Sequence, residues 1–395
     1  MTRIRTILAL LLIVILAPIS YYELQQVLRD QQSGQPDVFV GIDVVYDDGA
    51  VEDIRILIDR VKEYTNLIGI GSSAITFNET KLDQVVQYAY DNGLYFFLYF
   101  HPTHTLDQPG WLERAKKKFG QRFLGIYAFD EMGGNQVDRG QWTLVNETDV
   151  TEENLETRNY TDVSNKYLAR LDDYLKHYYE DYMQRGNLKL ITADYALYWF
   201  TYNSLCDVIL AEYAWNHSRP LHTALVRGAA TTHNKEWGIM LTWTYNSPPY
   251  IESADELYDD MVLAYKNGAK YIVVFNHPKI SQYGILTEEH FDALKRFWQY
   301  VKSNPRRVSS PKQRIAYVLP KDYGWGFRNP EDKIWGLWEP DQLSKKIWND
   351  TNQLINEHGL DIDIVYDDPK YWGNVQLQYG QLVFWNQSTI QSMSH

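Results

Sequence analysis

The sequence predicts a (β/α)8 barrel, and three observations carry that expectation. Apolar β-runs alternate with amphipathic helical stretches eight times between Val38 and Ser303. A parallel strand needs a crossover to reach the next, so this rhythm implies βαβ units and a parallel sheet. Eight such units in about 265 residues match the usual size of a closed barrel. The chemistry of such a barrel sits at the C-terminal ends of its strands, which fixes where to look.

The elements follow in order. Strand 1 is expected over Val38–Tyr46, followed by a helix over Val51–Tyr64. Strand 2 is Leu67–Ile75, with a helix over Lys81–Asp91, and strand 3 is Tyr95–His101, with a helix near Trp111–Lys118. Strand 4, Phe123–Phe129, ends in Asp130-Glu131-Met132-Gly133-Gly134. A polar segment, Asn135–Ser164, then interrupts the rhythm, longer than a normal connection. Helix Asn165–Arg185 sets Leu168, Leu171, Tyr174, Leu175 and Tyr178 on one face. Strands 5 to 8 are Leu188–Ala193, Val208–Tyr213, Gly238–Thr244 and Tyr271–Phe275, and Glu288–Lys302 is the last barrel helix. After a linker at 304–313, residues 314–395 read as a small α/β appendage: Arg314–Leu319, Ile362–Tyr366 and Gln381–Trp385 as strands, Pro340–Glu357 as a helix. Gly324-Trp325-Gly326 lacks the spacing of a phosphate-binding loop.

Residues 1–24 read as a signal peptide or membrane anchor: Arg3 and Arg5 precede an apolar run, Ile7–Ile19, shorter than a full span. Residues 25–37 form a polar linker. Sequons at Asn78, Asn146, Asn159, Asn216, Asn349 and Asn386 fit an extracytoplasmic, glycosylated chain, membrane-anchored or secreted. A net charge of -13 argues against a nucleic-acid partner. The single Cys206 excludes an intramolecular disulfide and a cysteine zinc cluster. With 31 Tyr and 13 Trp, the chain has aromatic rings beyond the needs of a core, which suits stacking on sugar faces.

The strand ends supply a ring of carboxylates, aromatics and hydrogen-bonding groups. Glu131 leads, because a carboxyl at the mouth of an apolar strand gains a raised pKa and acts as a general acid. The Gly133-Gly134 pair behind it leaves room for close approach of a ligand. Asp130 adjoins it, and Glu212 is the first choice for a second carboxylate, with Asp194 and Asp43 as competitors. Asp43, His101, Asp194, Tyr213, Trp215, Trp243, Tyr245 and Asn276 are expected to contact substrate, Trp199 joins the stacking aromatics, and His277 is divided between sugar contact and capping. Each also has a plain structural reading, as a cap, a salt bridge or packing. No cofactor is expected.

The stretch Gly125-Ile-Tyr-Ala-Phe-Asp-Glu131 resembles the strand-4 segment of barrel glycoside hydrolases, where an acid/base Glu closes that strand. It is similar to family 18 chitinases at Gly125 and Glu131, with Leu124, Tyr127 and Phe129 where that family has Asp. The adjacent Asp130-Glu131 resembles the Asp-Glu pair of family 20 hexosaminidases. Against clan A glycosidases, Asp130 replaces the Asn before the acid, and Thr242, Trp243 and Thr244 stand where a nucleophilic Glu would close strand 7. The appendage resembles half of the amidotransferase-like domain of some β-galactosidases. The resemblance implies glycoside hydrolysis with Glu131 as general acid/base. The alternative is an inactive glycan-binding or scaffold barrel; a third class, a metal-dependent hydrolase, rests on His101 and His104.

Overall fold

The computed structural model describes residues 35–46, 48–100, 108–186 and 188–387. The N-terminal segment, His101 and His104 lie outside the described residues. Val38–His395 forms one compact unit.

Eight parallel strands close into a barrel in sequence order: β1 Phe39–Val44, β2 Leu67–Ile70, β3 Tyr95–Tyr99, β4 Phe123–Tyr127, β5 Lys189–Asp194, β6 Val208–Tyr213, β7 Glu236–Leu241 and β8 Tyr271–Asn276. The ring closes where β1 pairs with β8, from Phe39 opposite Tyr271 to Val44 opposite Asn276. Alternation along each strand divides two cores. Phe39, Leu67, Phe97, Leu210, Met240 and Val273 pack inside the barrel, while Val40, Ile42, Leu98, Ile209 and Ile272 face the helices. On β1 the inward series Phe39, Gly41 ends at Asp43; on β6 Val208, Leu210 ends at Glu212. Two carboxyls are thus delivered to the upper interior by strand parity.

Three elements differ from the sequence expectation. The run Leu67–Ile75 is not one strand: β2 stops at Ile70, and Ser73–Thr76 is a helical turn whose Ile75 packs in the core. The polar segment after β4 holds the helices Met132–Asp138 and Glu152–Glu156, and the long helix begins at Tyr160. In the appendage a helix, Trp372–Gln378, joins the second strand to the third.

That appendage is a parallel three-stranded sheet, β9 Ile315–Leu319, β10 Ile362–Tyr366 and β11 Gln381–Phe384, with β9 central. It docks on the barrel helix Arg219–His233. Arg227, 2% exposed at its side chain, donates from Nε to Asp363 Oδ1 at 2.7 Å and to the carbonyls of Leu360 and Ile362. Tyr379 and Arg314 take the other Asp363 oxygen. A Cβ on Gly228 would collide with the Ile364 carbonyl, so glycine lets helix and strand backbones meet. The loop between β9 and its helix packs back on the post-β4 insertion: Gln136 Nε2 donates to the Trp335 carbonyl at 2.9 Å. Gly324 and Gly326 lie under the Trp335 ring and the Asp332 carboxylate, so they serve packing.

Candidate active site

The site is built from the ends of β4 and β6. After Tyr127 the chain still hydrogen-bonds to β5, through Ala128 to Ile191 and Glu131 to Ala193, yet Phe129 and Glu131 adopt φ of 69° and 53°. Left-handed geometry at two non-glycine residues costs on the order of 1–3 kcal/mol each, and such strain concentrates at functional sites. It bends the chain so that Asp130 and Glu131 leave the strand on different sides. Asp130 accepts from the Tyr127 hydroxyl. Glu131 meets Glu212, and the two carboxyls share a hydrogen bond.

Burial dominates the electrostatics. Desolvation, then the charges of Asp130 and Asp194, push Glu131 up to about 8. Desolvation, then the charge of the neighbouring Glu131, also raise Glu212 above the ordinary carboxyl range. Asp130 is exposed at the mouth, where its carboxylate is held by the Tyr127 hydroxyl. Asp43, fully buried, is pushed up to about 7. It accepts from the Tyr99 hydroxyl, and the Tyr99 and Tyr127 rings stack at 3.9 Å between centroids. Asp43 therefore reaches the mouth through two tyrosines and not by itself. The Glu131–Glu212 pair retains a proton at neutral pH, so it can protonate a leaving oxygen.

The structure corrects several assignments. Asp194 accepts from the backbone N–H groups of Gly133, Gly134, Tyr195 and Ala196, at 2.7 to 3.2 Å. It anchors the first turn after Glu131 and is fully buried there, so it serves the loop and not the substrate. Gly133 and Gly134 make room for Ala196 and the Tyr195 ring, not for a ligand. Tyr213 points outward, its hydroxyl 2.5 Å from Thr223 Oγ1, because it sits one residue out of phase with Glu212. Asn276 is fully buried and its amide is consumed by Tyr46, Tyr283 and Ile285. Trp199 is buried against Tyr366 and Tyr371.

Trp215, Trp243 and Tyr245 do stand beyond the ends of β6 and β7. Trp215 N–H donates to the Trp243 carbonyl at 2.9 Å, Trp243 Nε1 donates to the His277 carbonyl at 2.7 Å, and Tyr245 is 47% exposed. His277 Nδ1 lies 2.7 Å from the Val45 carbonyl, a structural contact. Among the described residues no group of three His, Cys, Asp or Glu is arranged to hold a metal ion.

Sequence reasoning missed Tyr99, Tyr127, Phe129, Trp142 and Tyr174. With Asp130 they line a cavity of about 310 Å³ over the ends of β2, β3 and β4. The signal was present for Tyr99, which follows Tyr95 and Phe97 in the inward parity of β3.

No family model and no curated protein matches the sequence. Solved structures that resemble it are barrels, several of them glycoside hydrolases. α-L-Fucosidase isoenzyme 2 from Paenibacillus thiaminolyticus is 10% identical over 85% of this chain and 59% of its own, with a TM-score of 0.48. The chain thus spans less than two thirds of that protein. A GH30 endoxylanase from Clostridium papyrosolvens is 9% identical over 68% of this chain and 74% of its own, with a TM-score of 0.42. The GH99 endo-alpha-mannosidase from Bacteriodes thetaiotaomicron is 12% identical over 65% and 85%, with a TM-score of 0.38. A 3-deoxy-D-arabino-heptulosonate 7-phosphate synthase from Thermotoga maritima resembles it similarly, at 0.35.

Proposed function

We propose that this barrel hydrolyses glycosidic bonds, with Glu131 as general acid/base and Glu212 as its partner carboxyl. The observation that carries the reading is the proton-sharing contact of these two side chains at the barrel mouth. Glycoside cleavage needs one carboxyl that holds a proton near neutral pH and delivers it to the leaving oxygen, and a second that is ionised. Glu131 is the more exposed of the two, so its side chain swings from Glu212 as a sugar enters and protonates the leaving oxygen. With the pair's one proton carried off on Glu131, Glu212 is left as the carboxylate, and it stabilises the developing positive charge or takes a proton from the attacking water. The six sequon asparagines are all exposed, which supports an exported chain.

A non-catalytic glycan-binding barrel is the second reading. Direct contact between the carboxyls is closer than the about 5 Å of retaining enzymes, and β7 ends without a carboxylate. The test is a panel of glycans and aryl glycosides offered to wild type, Glu131→Gln and Glu212→Gln at pH 5 to 7. Cleavage by wild type alone, with losses of about 10²-fold or more in both variants, is expected. A ligand bound by all three proteins and cut by none would establish the binding module instead.

A further inference from the structure

The proposed chemistry uses the centre of the mouth, whereas the described cavity opens to one side of it, over β2 to β4. Its apolar lining includes Phe77, Phe129, Met132, Trp142 and Tyr174, and Ser73, Thr76 and the exposed Asp130 also border it. Phe129 and Tyr174 meet edge to face at 4.3 Å between centroids. The tyrosine hydroxyls bordering it already have partners: Tyr99 donates to Asp43, Tyr127 to Asp130, and Tyr179 to the Phe100 carbonyl.

Phe77 is 43% exposed and Trp142 51% exposed, and both line this cavity. A wall of this kind suits an apolar group. A sugar ring set against the Phe77, Phe129, Met132 and Trp142 side chains would leave the hydroxyls facing them without partners, at a desolvation cost an apolar group does not incur.

We infer that this cavity holds the apolar part of the substrate, an alkyl or acyl chain or an aryl group attached through the glycosidic oxygen, with Trp142 and Phe77 among its contacts. The inference rests on the reading of Asp130-Glu131 as the reacting end, because Asp130 joins the cavity to the carboxyl pair. It gives the substrate class as a glycoside with an apolar aglycone. Glycan contact on the β6 and β7 side, by Trp215, Trp243 and Tyr245, would then belong to the sugar half.

The test is binding, which does not depend on cleavage. n-Hexyl, n-heptyl and n-octyl β-D-glucosides, each below its micelle concentration, and glucose itself are titrated calorimetrically into wild type and Glu131→Gln. Affinity should rise about fourfold per methylene, the value of full burial of a CH2 group. Trp142→Ala and Phe77→Ala should each weaken n-octyl glucoside by about fivefold or more and flatten the series, while Leu377→Ala, at an exposed apolar residue outside the cavity, keeps the wild-type slope. Equal affinity across the series, or a wild-type slope in both Trp142→Ala and Phe77→Ala, would overturn the assignment. Chain-length-dependent binding with no cleavage anywhere in the glycan panel supports the cavity and removes the proposed chemistry; cleavage in the panel without chain-length dependence here does the reverse.

Discussion

Glu131→Gln keeps the size of the side chain and its hydrogen bond to Glu212 but removes one ionisable group. In the folded chain Glu131 is raised from an ordinary 4.5 to about 8, chiefly by burial. Each tenfold change in proton affinity is worth about 1.4 kcal/mol, which gives an upper value of ~5 kcal/mol for ionising this carboxyl in place. Its partial exposure lets water and relaxation reduce that to about 2–3 kcal/mol. Between pH 4.5 and 8 the folded chain binds more protons than the unfolded one. Stability from this group therefore falls as pH rises through that window and levels off above it. Glutamine has no such dependence. Wild type and Glu131→Gln should melt together near pH 5, and the variant should melt higher at pH 8.5, by on the order of 5 °C for a chain of this size. Scanning calorimetry from pH 5 to 9 reads this directly. A difference between the proteins that is the same at both pH values would refute the buried, proton-holding Glu131.

The same linkage extends to the whole chain: Asp43 and Asp194 are pushed up to about 7 and Glu252 to about 8 by burial, so wild type should melt higher at pH 5 than at pH 8.5. Asp194→Asn puts an amide among four backbone donors and should cost about 2–3 kcal/mol in urea unfolding. Gly134→Ala drives a Cβ into the Tyr195 ring and should cost about 1–3 kcal/mol by the same measurement. Arg227→Met leaves Asp363 buried with only Arg314 and Tyr379, and a loss of about 3 kcal/mol is expected, with faster proteolytic release of the appendage.

The barrel was legible because its signal is repeated: eight apolar runs, each with a crossover. The end of β2 was not, because Gly71-Ser72-Ser73 interrupts a run whose Ile75 is just as buried in a helical turn. Glu131 and Glu212 could be read from strand ends, whereas Tyr213 and Asn276 could not be excluded without parity, which depends on knowing the first inward residue. The aromatic excess was read as sugar stacking, but Trp199, Trp325 and Trp335 are spent in the seam and loop that join the appendage to the barrel. Composition counts rings without saying which face they cover. The cavity over β2 to β4 was illegible for a related reason: Trp142 comes from a segment that looked like polar loop.

The central claim, that Glu131 delivers a proton to a leaving oxygen, is tested most directly by varying the leaving group. Wild type and Glu131→Gln are compared on alkyl glycosides, whose oxygen must be protonated to depart, and on dinitrophenyl glycosides, whose oxygen departs unaided. With Glu131 as the proton donor, the variant loses about 10²-fold or more on the alkyl series and little on the dinitrophenyl series. Equal losses on both, or none on either, would contradict it.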